Sequence, residues 1–253
     1  MKALLLCAGY GTRLFPLTKD KPKHLLEVGG KPILEHILEK IQDLDSVDGV
    51  YLITNAKFFY HFLDWAKDYA YRNPRAKRIE VINDGTDTNN TRLGALGDVL
   101  FSVKKKDIKD DLLLIAADNL FDFSLSGMKK LFEQKGKTVV ALTDIKERSL
   151  ARHYGVVEVD AEGKLVHFVE KPEHPLSTLV STGIYIFAKD GIRLLELYVK
   201  YGYSADKIGS FFEWLHKKDD VYCYISHEKW YDIGTTEQLE EANKHHRQKE
   251  ANP

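Results

Sequence analysis

Short apolar runs separate segments of helical periodicity in the first half of the chain. The runs Leu4–Ala8 and Leu112–Ala117 lack polar alternation, and further short strand-like runs stand at Val50–Thr54 and Ile79–Ile82. Runs without alternation are typical of strands buried on both faces of a parallel sheet. The apolar spacing from Pro32 to Leu44 is that of a helix. Together these patterns predict strands and helices in β-α-β order.

Two further helices are expected between the remaining strands, over about 58–71 and 93–105. This alternation predicts an α/β fold with a parallel sheet that has helices on both faces. Ligands of such sheets bind beyond the carboxyl ends of the strands. Arg13 and Asp118 each follow a buried strand. We therefore expect both side chains at the same edge of the sheet.

The pattern changes after the apolar run 138–142. The second half is expected to contain a hairpin, three more strands and three helices. The predicted strands are 138–142, 154–159, 164–169, 181–187 and 221–225, and the predicted helices are 192–201, 208–215 and 236 onward. No Pro-, Gly- or Ser-rich linker and no internal repeat separates the halves. The sequence therefore predicts one domain over residues 1–253.

Composition narrows the class of protein. The 253 residues are 43% hydrophobic and 30% charged, with a net charge of −1. This balance gives no support to nucleic-acid or membrane binding. No apolar run approaches the roughly 20 residues of a membrane-spanning helix. Only Cys7 and Cys223 are present, so a disulfide framework is not expected. We expect a reducing, cytoplasmic location instead.

The loop after the first strand carries the first candidate chemistry. Gly9 and Gly11 allow a tight turn and close backbone approach, and Arg13 and Lys23 add positive charge. Backbone amides in such a turn suit phosphate. A structural turn is the alternative interpretation. A dinucleotide-binding fingerprint is incomplete because Leu14 stands at the third glycine position, and the Gly-Lys-Ser/Thr of a Walker A loop is absent.

With the residues that follow, the loop becomes more specific. Gly9-x-Gly11-Thr12-Arg13-Leu14-x-Pro16-Leu17-Thr18, followed by Pro22-Lys23, resembles the signature of the sugar-1-phosphate nucleotidyltransferases, also called nucleotide-sugar pyrophosphorylases. The resemblance includes glucose-1-phosphate thymidylyltransferase-like proteins. It extends in order through Leu93–Gly97, Asp118-Asn119, Tyr154–Val157, Val169–Pro172, Thr182–Tyr185 and Trp230–Thr235.

This resemblance implies a Rossmann-like three-layer nucleotidyltransferase fold, with a mainly parallel central sheet and a small additional β region for the acceptor. It implies a nucleotide-binding half over about 1–120 and an acceptor-binding half over about 121–253. The implied reaction transfers NMP from an NTP to a sugar 1-phosphate, releases pyrophosphate and forms an NDP-sugar. No general base is required, since the attacking phosphate is already an anion. The default substrates are dTTP or UTP with glucose 1-phosphate.

The resemblance also implies roles for individual residues. Arg13 and Lys23 are expected to be catalytic, and Asp118 and Asp232 are expected to hold Mg²⁺, which prefers hard oxygen ligands. Acceptor contacts are expected from Gly155, Glu170, Lys171 and Thr182. Nucleotide contacts are expected from Ala8, Gly9, Gly11, Thr12, Arg13, Gly94 and Asn119. The implied partners are an NTP and a sugar phosphate, and assembly into a homo-oligomer is compatible with the sequence.

Several alternatives stay open. CTP with a sugar, inositol or choline phosphate is a rival within the class. A non-catalytic nucleotide-sugar-sensing subunit and a nicotinamide oxidoreductase belong to other classes. The segment Asn83–Leu93 departs from the Gln and G-L-A-Q-A pattern that addresses the base in thymidylyltransferases, and Asp98 replaces a small residue. Asp118 and Asp232 could be turn residues, Glu170-Lys171 an exposed pair, and Trp230 and Tyr231 core residues.

Overall fold

The computed structural model describes residues 1–251 and is an α/β structure. The strands are β1 (Lys2–Leu6), β2 (Glu27–Val28), β3 (Lys31–Pro32), β4 (Val50–Thr54), β5 (Ile79–Asn83), β6 (Leu112–Ala116), β7 (Asn119–Phe121), β8 (Thr138–Asp144), β9 (Gly155–Val159), β10 (Leu165–Glu170), β11 (Leu179–Phe187), β12 (Val221–Ser226) and β13 (Trp230–Asp232). The α-helices are α1 (Ile33–Gln42), α2 (Phe59–Arg72), α3 (Ala95–Lys106), α4 (Leu125–Lys135), α5 (Arg148–Ala151), α6 (Lys189–Lys200), α7 (Ile208–Leu215) and α8 (Thr236–Ala251).

These elements group into two compact units. The first unit contains Ala3–Arg92, Ile115–Asp122 and the chain from Lys229 on, and the second contains Met1–Lys2, Leu93–Leu114 and Phe123–Glu228. This grouping differs from the expected division near residue 120, because α3 and most of β6 group with the second half of the chain. The last segment, from β13 on, groups with the first unit instead.

Three parallel strands organise the first unit. β4 pairs with both β1 and β5 without a register shift, so that Leu5 lies beside Leu52 and Leu52 beside Val81. The residues after β6 continue along β1, since the Ala117 amide donates to the Leu6 carbonyl at 3.2 Å. Because parallel strands end at one edge, the Gly9 loop and Asp118 share that edge, as predicted.

A short antiparallel strand pairing brings two segments of the first unit together that are distant in sequence. β13 runs antiparallel to β7, with Asp232 opposite Asn119 and Trp230 opposite Phe121. The helix α8 follows, and its His245 and Lys249 both contact Asp122, at 2.9 and 3.0 Å. Helix α8 is thereby fixed to Asp122, which follows β7.

The second unit is built on β8. β8 pairs antiparallel with β11 and parallel with β12, while β9 and β10 form the predicted hairpin and pair antiparallel. Helix α7 occupies the predicted range of 208–215 and buries Phe211 and Phe212 in an aromatic core with Tyr185 and Phe187. Parallel pairs of the first unit and this mixed region confirm the predicted α/β class.

The structure contains elements that the periodicity did not predict. Helix α4 begins at the Ser124 cap and ends at Gly136, which adopts a left-handed conformation at φ +61°. Strands β7 and β13 are only three residues long each. Within residues 1–251, every helix is too short or too polar to cross a lipid bilayer.

Candidate active site

The loop after β1 has a rigid shape that explains its motif. Gly11 has a φ of +61°, and the Thr18 hydroxyl donates to its carbonyl oxygen at 2.7 Å. A Cβ on Gly11 would lie 3.2 Å from the Thr18 Cβ. Glycine is therefore favoured at position 11 both by conformation and by space. Thr12–Leu14 then form one 3-10 turn, which presents Arg13.

Arg13 reaches the end of the loop after β13. Its two terminal nitrogens would lie 3.1 and 3.2 Å from a Cβ on Gly234, so the guanidinium packs directly over this glycine. The Gly234 amide donates to Oε1 of Gln238 on α8 at 2.8 Å. The first and last sequence motifs thus meet in the first unit.

Lys23 and Asp118 form an ion pair at the sheet edge. Lys23 Nζ lies 2.8 Å from Asp118 Oδ2, and Lys23 is only 7% exposed. Burial opposes ionisation of Asp118, but the Lys23 ammonium outweighs it and holds the pKa of the carboxyl below its usual range. A buried charge without a partner would be costly, and the ion pair supplies that partner.

Asn119 orients the second oxygen of the same carboxylate. Its Nδ2 donates to Asp118 Oδ1 at 2.9 Å and to the Ala116 carbonyl at 3.0 Å, while its Oδ1 accepts from Trp230 Nε1 at 3.0 Å. Asn119 is 5% exposed. Its amide therefore contacts the Asp118 carboxylate and β13, and the nucleotide contact that the resemblance implies for Asn119 stays a prediction. The indole of Trp230 has a structural partner, in line with the core-packing alternative.

The two expected metal ligands lie on adjoining segments. Asp232 is the last residue of β13, and the next amide, of Ile233, donates to the Asp118 carbonyl at 2.9 Å. No group of three or more His, Cys, Asp and Glu within the described residues is arranged to hold a metal ion. Two carboxylates are nevertheless the donor set that Mg²⁺ uses when phosphates and waters complete its shell. The residues present thus fit that ion.

His24 is a buried side chain that sequence reasoning missed. It is 3% exposed, its Nδ1 has no hydrogen-bond partner among the described residues, and its ring lies 6.0 Å from that of Phe62. Burial, and then the neighbouring Lys23 ammonium, lower its pKa to about 4. The imidazole is neutral at physiological pH and adds no charge to the site. Its position directly after Lys23 was the only available signal.

These side chains surround one cavity in the first unit. It has a volume of about 170 Å³, below the range of roughly 300–1,000 Å³ that is typical of whole-ligand pockets. The cavity therefore suits phosphate groups better than a complete nucleotide. Its lining residues are Gly9, Gly11, Thr12, Arg13, Leu14, Lys23, His24, Asp118 and Gly234. Ala8 lies behind it, and its carbonyl accepts from Asn55 Nδ2 at 2.9 Å.

Gly94 lies in the second unit, at the beginning of α3. The first amides of this helix, from Ala95 and Leu96, donate to the carbonyls of Asp206 and Ala205 at 3.0 Å. A Cβ on Gly94 would lie 2.6 Å from the Asp206 Cα. The glycine therefore permits close backbone packing here, a role that the motif resemblance did not suggest. Asp98 lies in the first turn of α3, where the helix dipole favours an acidic side chain.

The expected acceptor residues have distinct environments in the second unit. Glu170 ends β10 opposite Gly155, and burial raises the pKa of its carboxyl. Lys171 is exposed in a left-handed conformation at φ +52°, and its amide donates to the Tyr154 carbonyl. Thr182 is fully buried, and its hydroxyl donates to the Ala141 carbonyl at 2.9 Å. That hydroxyl is already used within the β-sheet.

Comparison with known proteins assigns the family. The family model described as Nucleotidyl transferase matches residues 2–249. The chain belongs to this family. The bifunctional protein GlmU of Methanocaldococcus jannaschii is 33% identical over 246 residues, which cover 97% of this chain and 54% of that protein. The UTP–glucose-1-phosphate uridylyltransferase AglF of Haloferax volcanii is 33% identical over 189 residues, covering 74% of this chain and 72% of that protein.

Solved structures share the fold of this nucleotidyl transferase family member. A UDP-glucose pyrophosphorylase complexed with UDP-glucose aligns with a TM-score of 0.82 at 22% identity, covering 98% of each chain. A putative glucose-1-phosphate thymidylyltransferase from Bacillus anthracis aligns with a TM-score of 0.82 at 23% identity, covering 98% of this chain and 95% of that chain. The chain spans about half the length of the GlmU proteins that it matches.

Proposed function

We propose that this protein transfers a nucleoside monophosphate from an NTP to a sugar 1-phosphate and releases pyrophosphate. The observation that carries the proposal is the cavity of the first unit, where the Lys23–Asp118 ion pair and Arg13 surround a space suited to phosphate. The family match over residues 2–249 supports the same reaction.

The reaction joins two anions, so the site must neutralise charge and align the reacting groups. An oxygen of the sugar phosphate attacks the α-phosphorus of the NTP. The new phosphorus–oxygen bond forms as the bond to the β-phosphate oxygen breaks, and the leaving pyrophosphate takes the electron pair. No proton has to be removed from the nucleophile. This agrees with a neutral His24 and with a site whose charged groups are Arg13, Lys23 and two carboxylates.

Each charged residue has a separate task in this proposal. The planar guanidinium of Arg13 binds two oxygens of the triphosphate. The Lys23 ammonium binds the α-phosphate and the attacking phosphate, which requires it to leave Asp118. Asp118 and Asp232 would hold Mg²⁺, which when bound would offset the negative charge of the phosphates. Asn119 keeps the Asp118 carboxylate oriented throughout.

The remaining predicted contacts belong to the same proposal. Ala8, Gly9, Gly11, Thr12, Gly94 and Asn119 are assigned to the nucleotide side, and Gly155, Glu170, Lys171 and Thr182 to the acceptor side. A uridine or thymidine nucleotide with glucose 1-phosphate is the default substrate pair. The name of the Haloferax relative, a UTP–glucose-1-phosphate uridylyltransferase, supports the uridine choice. The two free cysteines support a cytoplasmic location. Homo-oligomer formation stays a prediction, which light scattering after gel filtration would test.

The decisive experiment is a matrix of ATP, CTP, GTP, UTP and dTTP against sugar, inositol and choline phosphates. Pyrophosphate release is the readout, with and without Mg²⁺. We expect Mg²⁺-dependent release for at least one pair, with UTP or dTTP and glucose 1-phosphate among the active ones. Release with CTP and a non-sugar phosphate alone would replace the substrate assignment. Absence of release from every pair, together with measurable NTP binding, would favour the sensor function.

A further inference from the structure

Glu170 stands in a restricted space in the second unit. On one side, a Cβ added to Gly155 would lie 3.4 Å from Glu170 Oε2, and on the other, a Cβ added to Gly209 would lie 1.9 Å from the same oxygen. The latter distance is far below any allowed contact. The carboxylate thus lies directly on the backbone of the first turn of α7, in space that exists only because residue 209 is glycine.

The same helix also holds the backbone of Glu170. The Glu170 amide donates to Glu213 Oε1 at 2.6 Å. Gly209 and Glu213 are four residues apart on α7, and residues at this spacing share one face of a helix. One face of α7 therefore makes room for the Glu170 carboxylate and fixes its main chain.

The arrangement leaves the carboxylate ready for a ligand. Among the described residues, none donates a hydrogen bond to the Glu170 carboxylate oxygens, although the group is half-buried and its pKa is raised by burial. A desolvated acceptor without a donor is unfavourable in the protein alone. Gly209, which has no Cβ, leaves room for the side chain, and Glu213 accepts a hydrogen bond from the Glu170 amide at the end of β10.

We propose that Gly209 and Glu213 are positioning residues that set Glu170 for binding the acceptor. This inference rests on the proposed function, in which Glu170 contacts the acceptor. Neither residue touches the acceptor in this proposal. They determine acceptor affinity through the position of Glu170. Helix α7 therefore contributes to acceptor specificity, although no motif residue lies on it.

The packing claim can be tested without any substrate, by a double-mutant cycle read as melting temperature. Alanine is normally favoured over glycine within a helix. Gly209→Ala should nevertheless lower the melting temperature by roughly 4 °C or more, because its Cβ displaces Glu170. In a Glu170→Ala background the same substitution should leave the melting temperature unchanged or raise it. Additive effects of the two substitutions would overturn the contact.

The positioning claim is tested with UTP and glucose 1-phosphate as the probe substrates. Gly209→Ala should raise the KM for glucose 1-phosphate roughly tenfold or more and leave the KM for UTP within twofold. The double variant Gly209→Ala with Glu170→Asp, whose shorter side chain relieves the overlap, should recover part of the loss. Ser210→Ala, on the same helix, is the matched control and should change neither constant.

Glu213 has its own conservative control. Glu213→Gln keeps an oxygen that can accept from the Glu170 amide, and it should stay within twofold of the parent KM. Glu213→Leu removes that acceptor and should raise the KM for glucose 1-phosphate. An unchanged acceptor KM in Gly209→Ala and Glu213→Leu would overturn the positioning role even if the melting cycle shows coupling. If no substrate pair is turned over, the proposed function fails, while the melting cycle still decides the packing claim.

Discussion

The two candidate regions differ in how their charged side chains are satisfied. In the first unit, Asp118 already has a protein partner for each oxygen, Lys23 on one and Asn119 on the other. In the second unit, Glu170 has space made for it by Gly155 and Gly209 but no donor among the described residues. The first arrangement is a closed network, and in the proposed reaction Lys23 has to exchange Asp118 for phosphates. The second is an open acceptor that a ligand completes.

This difference predicts different costs for removing a charge. Loss of a member of the closed network leaves a charged partner unpaired, so activity and local electrostatics change together. Loss of the Glu170 charge removes an unfavourable burial, so binding should suffer while stability does not. The following experiments test this contrast, beginning with the largest expected effect.

Lys23→Ala should have the largest effect on turnover. It removes the ammonium that faces the phosphates and raises the pKa of Asp118, because the ion pair that lowers it is lost. We expect pyrophosphate release to fall by roughly a thousandfold, the scale seen when one electrostatic donor is removed from an active site. Circular dichroism should show an intact fold. Full activity in this variant would remove the proposed mechanism.

Asp232→Asn should shift the response to metal. The substitution keeps the size of the side chain and removes one of two carboxylates. Half-maximal activity should require at least roughly tenfold more Mg²⁺, since loss of an outer-shell partner alone weakens metal binding by that factor. The comparison variant is Asp64→Asn, an exposed aspartate on α2, which should titrate like the parent. Superimposable Mg²⁺ titrations of Asp232→Asn and the parent would show that Asp232 is structural.

Glu170→Gln should separate binding from stability. The amide has nearly the same shape, but it is uncharged and a poorer acceptor, so the KM for glucose 1-phosphate should rise roughly tenfold. The raised pKa of Glu170 means that its ionisation disfavours the folded state as pH rises through that pKa. At neutral pH the variant should therefore melt at the same temperature as the parent or higher. A clearly lower melting temperature would show that Glu170 is already satisfied within the protein.

His24 is expected to affect stability and not turnover, and its effect is seen as a pH dependence of stability. Its pKa is about 4 in the folded protein, whereas the ordinary value for a solvated imidazole is 6.5. The unfolded chain therefore takes up a proton first, and the stability that neutral His24 provides is complete above pH 6.5 and is lost as pH falls toward 4. The slope should approach about 1.4 kcal/mol per pH unit within this window.

Urea unfolding midpoints of the parent and His24→Gln, measured from about pH 7 to about pH 4, would reveal that slope as a difference between the two proteins. His61→Gln is the matched control, since His61 lies exposed on α2. Parallel curves for the parent and His24→Gln would show that His24 does not titrate in this way.

The local sequence pattern was sufficient to predict most of the helices and strands and the order of the site motifs along the chain. Helix α7 and strand β4 occupy their predicted ranges, and α1, α2 and β6 begin or end within two residues of theirs, because a one-sided apolar pattern is a property of neighbouring residues. Arg13 and Asp118 line one cavity, as their positions after buried strands suggested, and Lys23 lines it as well. Helix α4 was missed although Ser124 and Gly136 are typical capping residues.

What the sequence could not supply were pairings between distant segments. Asn119 accepts a hydrogen bond from Trp230, although the two lie 111 residues apart in the sequence. This contact could be expected only once the pairing of β7 with β13 was known. The sequence around Gly209 does not distinguish it from any glycine that weakens a helix. Its role becomes visible only in the structure, where the Glu170 carboxylate packs against it. Thr182 stands within a recognisable motif, yet its burial depends on β8, which is remote in sequence.

The pairing of β13 with β7 also has a consequence for the order in which the protein matures during synthesis. Chains leave the ribosome from the N-terminus, and domains generally fold as units. A nascent chain that has not yet exposed Trp230 already contains Arg13, Lys23 and Asp118, but it lacks Asp232, the glycine beneath Arg13 and the helix that contacts Asp122. The cavity that Arg13, Lys23 and Asp118 line therefore reaches its final form only after the segment from Trp230 on has been synthesised.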